Sequence, residues 1–410
     1  MARHRGRIGP FPRWTVAVAA VVLVAAGAAL WFVAAGRGTP ASDARTPAGA
    51  GTHAPVSPSA SPSGDCAAAL VAKLTLEQQV GQLLMIGTPI GTPLNAVQAI
   101  QRYQLGGIFL AGRSTASAAS LRQSIEQLQA AAAKSGLGLQ IGVDQEGGQV
   151  QTLKGADFPA IPSAVNQAKL DDATLKANTA EWVGRLKAIG VTIDLAPVAD
   201  VVPASVGKAN PPIGGFDRQY GATPEPAAAG VATVVTAMQG AGVLATLKHF
   251  PGLGRVRVNT DTSTGARDDI TTADDPALQP FTSGIAAGSA AVMISSATYP
   301  KLDPANIAAF SEPIVTGLLR QKLGFDGLVL SDDLGAATAV ASVPLGQRAV
   351  RFIKAGGDMA LSVKLSDAGP WTEALVTAAK GDPAFAARVT ESATRVVRAK
   401  LRAGLARCGT

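Results

Sequence analysis

From Cys66 onward, short apolar runs alternate with longer amphipathic stretches, and this alternation limits the fold more than any other feature. The spacing predicts strands over Val80–Gly87, Gly106–Ala111, Leu137–Val143, Val191–Pro197, Val243–Leu247, Ala290–Ser295, Gly327–Leu330 and Gly357–Leu361. Helical patterns lie between them, as in Ala116–Ala133 and Asp172–Ile189. Near-continuous apolar strands separated by helices imply a parallel sheet covered by helices. Eight such strands fit an α/β fold of the (β/α)8 TIM-barrel type. A doubly wound open sheet is the competing arrangement, but no GxGxxG follows the first strand.

Ahead of this region lie segments of different character. Residues 1–14 form a basic flank, and residues 15–36 (TVAVAAVVLVAAGAALWFVAAG) run without a charge for 22 residues. At about 1.5 Å per residue this run spans a bilayer core. Four arginines precede it, which puts the N-terminus in the cytoplasm. The run exceeds the apolar stretch of a typical cleaved signal, so a retained single-pass anchor is favoured. Cleavage near Val33-Ala34-Ala35, giving a secreted protein, is the alternative. Residues 37–64, rich in Pro, Ala, Ser and Thr, read as a spacer that places the domain at 65–410 outside the membrane.

The formal charge of +7 misleads unless it is divided. Residues 1–64 carry six Arg and one Asp, leaving a main body that is nearly neutral and a poor partner for nucleic acid. The two cysteines, Cys66 and Cys408, stand at the edges of that body. Outside the membrane a disulfide between them is the sharper reading, with two unrelated thiols as the alternative. No CxxC or HExxH spacing supports a metal site, and no GxSxG elbow supports acyl transfer.

Catalytic groups of such barrels sit where the strands end. Here the strand ends run into Asp144-Gln145-Glu146, towards Asp200, into Lys248-His249, to Ser295-Ser296 and to Ser331-Asp332-Asp333. So many polar groups at one rim point to a site, because buried charge is costly unless paired. Carboxylate chemistry is what remains, and glycoside hydrolysis uses two such groups. Asp332, Asp333, Asp144, Glu146 and Asp261 are the candidates, each equally readable as a helix cap or as a partner of Lys248 or Arg218. His249, the one histidine of the main body, is a hydrogen-bonding group for an oxygen-rich substrate.

The segments DQEGG (144–148), APVADV (196–201), NPPIGGFDRQYG (210–221), KHFPGLG (248–254) and SDDL (331–334) resemble glycoside hydrolase family 3. The resemblance covers most of 66–405 and is strongest to its single-domain bacterial β-N-acetylhexosaminidases, which trim peptidoglycan fragments. It implies a (β/α)8 barrel, a glycan substrate, and no metal or organic cofactor. It further implies Asp332 as catalytic nucleophile, Asp333 as a supporting or capping group, and Asp144, Arg218, Lys248 and His249 as sugar-binding residues. A monomer is expected.

The sequence departs from the family on one loop. The relatives read KHFPGHG followed by Asp-Ser-His, whose His is the acid/base. Here Leu253 replaces the first His, Asn259-Thr260-Asp261 occupies the Asp-Ser-His positions, and Gln149 replaces an arginine often found after EGG. Three readings follow. Asp261 is the acid/base, with a pKa raised by burial; Asp268 or Asp269 serves instead; or hydrolysis is lost and a cell-wall sugar receptor remains. Phosphorolysis is disfavoured because Asp261 would repel phosphate, although Arg255 and Arg257 stand nearby in sequence.

Overall fold

A computed structural model describes residues 62–133 and 136–408 of the chain. The apolar segment 15–36 lies outside them, and no helix among the described residues is long and apolar enough to cross a membrane. Eight strands form the centre: β1 (Leu84–Pro89), β2 (Gly107–Ala111), β3 (Gln140–Val143), β4 (Ile193–Asp194), β5 (Leu244–Phe250), β6 (Ala291–Ile294), β7 (Leu328–Asp333) and β8 (Met359–Ser362). Each pairs in parallel with the next, and β8 returns to β1 with Ala360 opposite Leu84. The sheet is therefore a closed barrel, and the open doubly wound alternative is excluded.

All eight expected strands form, with shifted boundaries. Val80, Gly81 and Gln82 belong to a helix, Leu76–Gln82, rather than to the first strand. Thr75 starts that helix with a capping box: its Oγ1 accepts from Gln78 N–H and the Gln78 side chain accepts from Thr75 N–H. All three misread residues are buried, and a short buried helical segment has the same apolar signature as a strand. The fourth strand contracts to Ile193–Asp194, although Leu195 N–H still donates to the Val143 carbonyl and the Ala196 carbonyl accepts from Thr246 N–H before Pro197, which has no N–H to give. In the other direction, β5 extends to Phe250 and β7 to Asp333. Those extensions carry Lys248, His249, Asp332 and Asp333 at the barrel mouth, where the register with the neighbouring strand shifts between Leu247 and Phe250 and between Leu330 and Asp333.

The helices match their patterns closely. Ser117 caps Ala118–Ala132, and Asp171 caps Asp172–Ala188. The second of these ends at Gly190, whose φ of +94° suits glycine. Two apolar layers result. Met85, Phe109, Ile193, Leu195, Met293, Leu330 and Leu361 fill the barrel interior. Gly107 and Gly142 leave room there for the Met85 side chain, which a Cβ at either position would crowd. A larger cluster packs the outer strand faces against the helices.

Cys66 and Cys408 form a disulfide, with Cα atoms 5.7 Å apart across 342 residues of sequence. It ties the helix Pro62–Val71 to the segment following the last helix, Pro383–Arg402, and those two helices also pack together. Replacing both cysteines by serine should lower unfolding stability by roughly 2–5 kcal/mol. Urea unfolding of the two proteins under non-reducing conditions measures this, and equal midpoints would show that the closure contributes nothing.

Candidate active site

The barrel's C-terminal mouth holds a cavity of about 390 Å³ whose floor is the upper edge of the interior layer: Phe109, Leu195, Met293 and Leu361. Its polar wall contains Asp144, Arg218, Lys248, His249, Asp261, Asp332 and Asp333. All six residues expected to catalyse or bind sugar are thus brought to one cavity.

The wall is organised by a residue that the sequence listed only as one carboxylate among several. Glu146 lies on a short hairpin, Gln145–Gly147 with Val150–Gln151, directly after β3. Its neighbour Gly147 has φ +102°, and a Cβ there would come 2.3 Å from the Pro162 carbonyl oxygen. That contact explains the Glu-Gly-Gly run, because the hairpin must turn in the left-handed region while pressed against backbone. Glu146 receives Arg218 in a two-pronged pair, Nε to Oε2 at 2.8 Å and Nη2 to Oε1 at 2.7 Å. Lys248 Nζ lies 2.6 Å from Glu146 Oε1 and 2.7 Å from Asp144 Oδ1. Burial alone would raise the Glu146 pKa, but Arg218 and Lys248 overcome it and hold the carboxyl at about 2. Burial would likewise depress Lys248, yet Asp144 and Glu146 keep it above its ordinary value.

His249 is held from behind. Asp200, fully buried, lies 2.8 Å from His249 Nδ1 and also accepts from the backbone N–H of His249 and of Leu253. The APVADV and KHFPGLG segments are therefore one unit in space. Asn210 performs a similar service for the next loop: its Nδ2 donates to the Leu253 and Val256 carbonyls, and its Oδ1 accepts from Ile213 and Gly214 N–H. Asp194, at the end of β4, is a buried carboxyl raised to about 7, with burial as the main cause. The sequence reading passed it over, since its only signal was an acid inside an apolar strand.

Of the two adjacent acids on β7, Asp332 lines the cavity half-buried. Asp333 caps its own turn, accepting from Gly335, Ala336 and Val363 N–H. This matches the supporting role expected for it. Asp261 stands across the same cavity on the loop after β5. Much of the residue reaches solvent at the mouth, but desolvation by surrounding protein and then the Asp332 charge raise its pKa, opposed by His249 and Arg218. Asp268 and Asp269 are engaged elsewhere: Asp268 accepts from Ile270 and Thr271, and Asp269 pairs with Arg267 at 2.6 Å. Neither lines the cavity. Arg255 is likewise committed, with Asp275 at 2.6 Å. Among the described residues no three His, Cys, Asp or Glu side chains are grouped to hold a metal ion.

The sequence profile of the glycosyl hydrolase family 3 N terminal domain matches residues 75–399. The chain belongs to glycosyl hydrolase family 3. It is an enzyme of the glycoside hydrolase class, and its relatives share this barrel. A β-hexosaminidase of Xanthomonas axonopodis pv. citri is 34% identical over 296 residues, which cover 68% of this chain and 83% of that one. A β-hexosaminidase of Stenotrophomonas maltophilia is 34% identical over 291 residues, covering 68% and 82%. The crystal structure of a β-N-acetylhexosaminidase from Beutenbergia cavernae superposes with a TM-score of 0.78 at 46% identity, covering 80% of this chain and 99% of that one.

The ion cluster has a stability consequence whose sign is fixed. Glu146 titrates near 2 in the folded protein against an ordinary value of 4.5, so its contribution is complete above about pH 4.5 and disappears as the pH falls through 2. Glu146→Gln leaves Arg218 and Lys248 facing a neutral group and should cost about 3–5 kcal/mol at neutral pH. The difference from wild type should shrink on acidification. A pH series of denaturant midpoints checks both, and a neutral-pH difference below about 1 kcal/mol would contradict the assignment.

Proposed function

We propose that this enzyme removes terminal β-linked N-acetylglucosamine from cell-wall or related glycans by a retaining, two-step mechanism. The observation that carries this reading is the pairing in one cavity of Asp332 with a second carboxylate, Asp261, whose pKa is raised. Retaining hydrolysis needs one ionised carboxylate to attack and one protonated group to donate. A carboxyl at the cavity mouth, pushed upward by partial desolvation and by a neighbouring anion, suits the second task. The names of the curated and structural relatives support the sugar.

In the first step an Asp332 oxygen bonds to the anomeric carbon while Asp261 gives its proton to the glycosidic oxygen, and the aglycone leaves as an alcohol. In the second, Asp261 takes a proton from water, the water oxygen bonds to the anomeric carbon, and Asp332 is released. Asp144, Lys248, Arg218 and His249 hold the terminal sugar. The Glu146 pair keeps the two cations in place without entering the reaction. The disulfide supports an oxidising compartment. Together with the apolar segment 15–36 it favours display outside the membrane, held by that segment or released after cleavage.

Residues 65–410 should release chromophore from an aryl β-N-acetylglucosaminide, and Asp332→Asn should lower kcat by about 10³-fold or more while sugar binding persists. Turnover that survives Asp332→Asn would remove Asp332 from the mechanism. A folded wild-type protein that binds cell-wall fragments without cleaving any sugar would favour the receptor reading.

A further inference from the structure

Thr338 lies in the turn that follows β7, five residues beyond Asp333 and outside every motif that the sequence singles out. This turn makes an unusual set of contacts with the opposite loop. Thr338 N–H donates to the Asp261 carbonyl at 3.1 Å, and Thr338 Oγ1 donates to the same oxygen at 2.9 Å. Ala339 N–H donates to the Thr260 carbonyl at 3.0 Å. Two consecutive carbonyls of the Asp261 loop are thus gripped by two consecutive residues of the Asp332 strand's own loop. On the far side, Asn259 Oδ1 accepts from Asp261 N–H at 2.9 Å, so both backbone groups of Asp261 are fixed. The gripping turn is itself braced, because Asp333 accepts from the Gly335 and Ala336 N–H groups at its start and from the Val363 N–H just after β8.

We propose that Thr338 is a positioning residue: through its hydroxyl and N–H it holds the Asp261 carboxyl in register with Asp332, using a turn braced by Asp333. The inference rests on the reading of Asp261 as acid/base. Its physical logic is that a loop-borne acid needs a fixed distance from the anomeric carbon, and proton transfer requires hydrogen-bond reach. Asp261 replaces a longer histidine side chain, so its backbone has to be held closer to the substrate. Tying the acid to the nucleophile's strand makes the spacing of the two groups a property of one short covalent and hydrogen-bonded path.

The position also sets the charge environment of Asp261. The charged and titratable groups acting on it are Asp332 and Asp333 from β7, His249 from β5, Arg218 from the loop after β4 and Asp144 from the end of β3. Releasing the loop takes the carboxyl away from Asp332 and into water, so its pKa falls towards the ordinary aspartate value. The acid must be protonated to work, so the alkaline limb of kcat/KM then moves to lower pH.

The test uses the enzyme with Thr338→Val, which keeps shape and N–H but removes the hydroxyl, and Thr338→Ser, which restores it. Each is assayed with two β-N-acetylglucosaminides, one with a poor leaving group (methyl or phenyl) and one with a dinitrophenyl group that departs without proton assistance. Thr338→Val should lose about fivefold in kcat/KM on the poor leaving group, as expected for one neutral hydrogen bond, and little on the dinitrophenyl sugar. Its alkaline limb should shift to lower pH, and Thr338→Ser should recover most of both effects. An equal loss on both substrates with an unmoved limb would make Thr338 merely structural, and no loss at all would equally overturn the inference. Asp261→Asn separates the two layers of the argument. If it slows the poor leaving group selectively while Thr338→Val does not, only the Thr338 role fails; if it has no selective effect, the acid/base reading and the Thr338 role fall together.

Discussion

The mouth of this barrel depends on Glu146. Two cations, Arg218 and Lys248, are brought from different strand ends into a space with little water, and neither would be tolerated there without a counter-charge. Glu146 supplies it to both, joined at Lys248 by Asp144, from a hairpin whose crowded, left-handed turn calls for glycine at 147. With those cations neutralised from behind, their remaining donors and the Asp144 carboxylate face the cavity. The same principle places Asp200 behind His249. In each case a buried acid outside the cavity lining determines the posture of a residue that lines the cavity.

The reacting pair follows a different principle. Asp332 lies near the end of β7, where the register with β8 shifts, while Asp261 sits on a loop whose position comes from hydrogen bonds to the turn after that strand. The site therefore combines a rigid half, built on barrel strands, with a half fastened to it by a few backbone contacts. Such a division would let the Asp261 loop change its residue type while the wall around Glu146 stays as it is. The departure expected from the family resemblance falls on that loop, at Leu253 and at Asn259-Thr260-Asp261.

Much of this was legible in the sequence because the barrel repeats one simple pattern. Apolar runs of four to eight residues between amphipathic helical patterns fit a barrel, and strand ends that turn polar mark the rim. The motif segments were legible too, through their resemblance to a family, while the structure supplies the physical reasons: Asn210 ties two loops together, Asp200 holds His249, and Gly147 permits a crowded turn. What the sequence concealed depends on contacts between distant residues. Glu146 and Asp144 are equivalent acids in a five-residue stretch, and only the fold turns one inward to the cations. Thr338 carries no pattern of its own. Val80–Gln82 looked like strand because burial erases the polar face by which a helix is recognised.

The central claim is that Asp332 forms the covalent bond to the sugar and Asp261 does not. A fluorinated N-acetylglucosaminyl fluoride, which forms the glycosyl-enzyme readily and hydrolyses slowly, traps the intermediate for peptide mass mapping. The account predicts one added sugar, located on Asp332. An adduct on Asp261, Asp144 or Asp333 would contradict it, as would turnover of this reagent with no covalent species at any time.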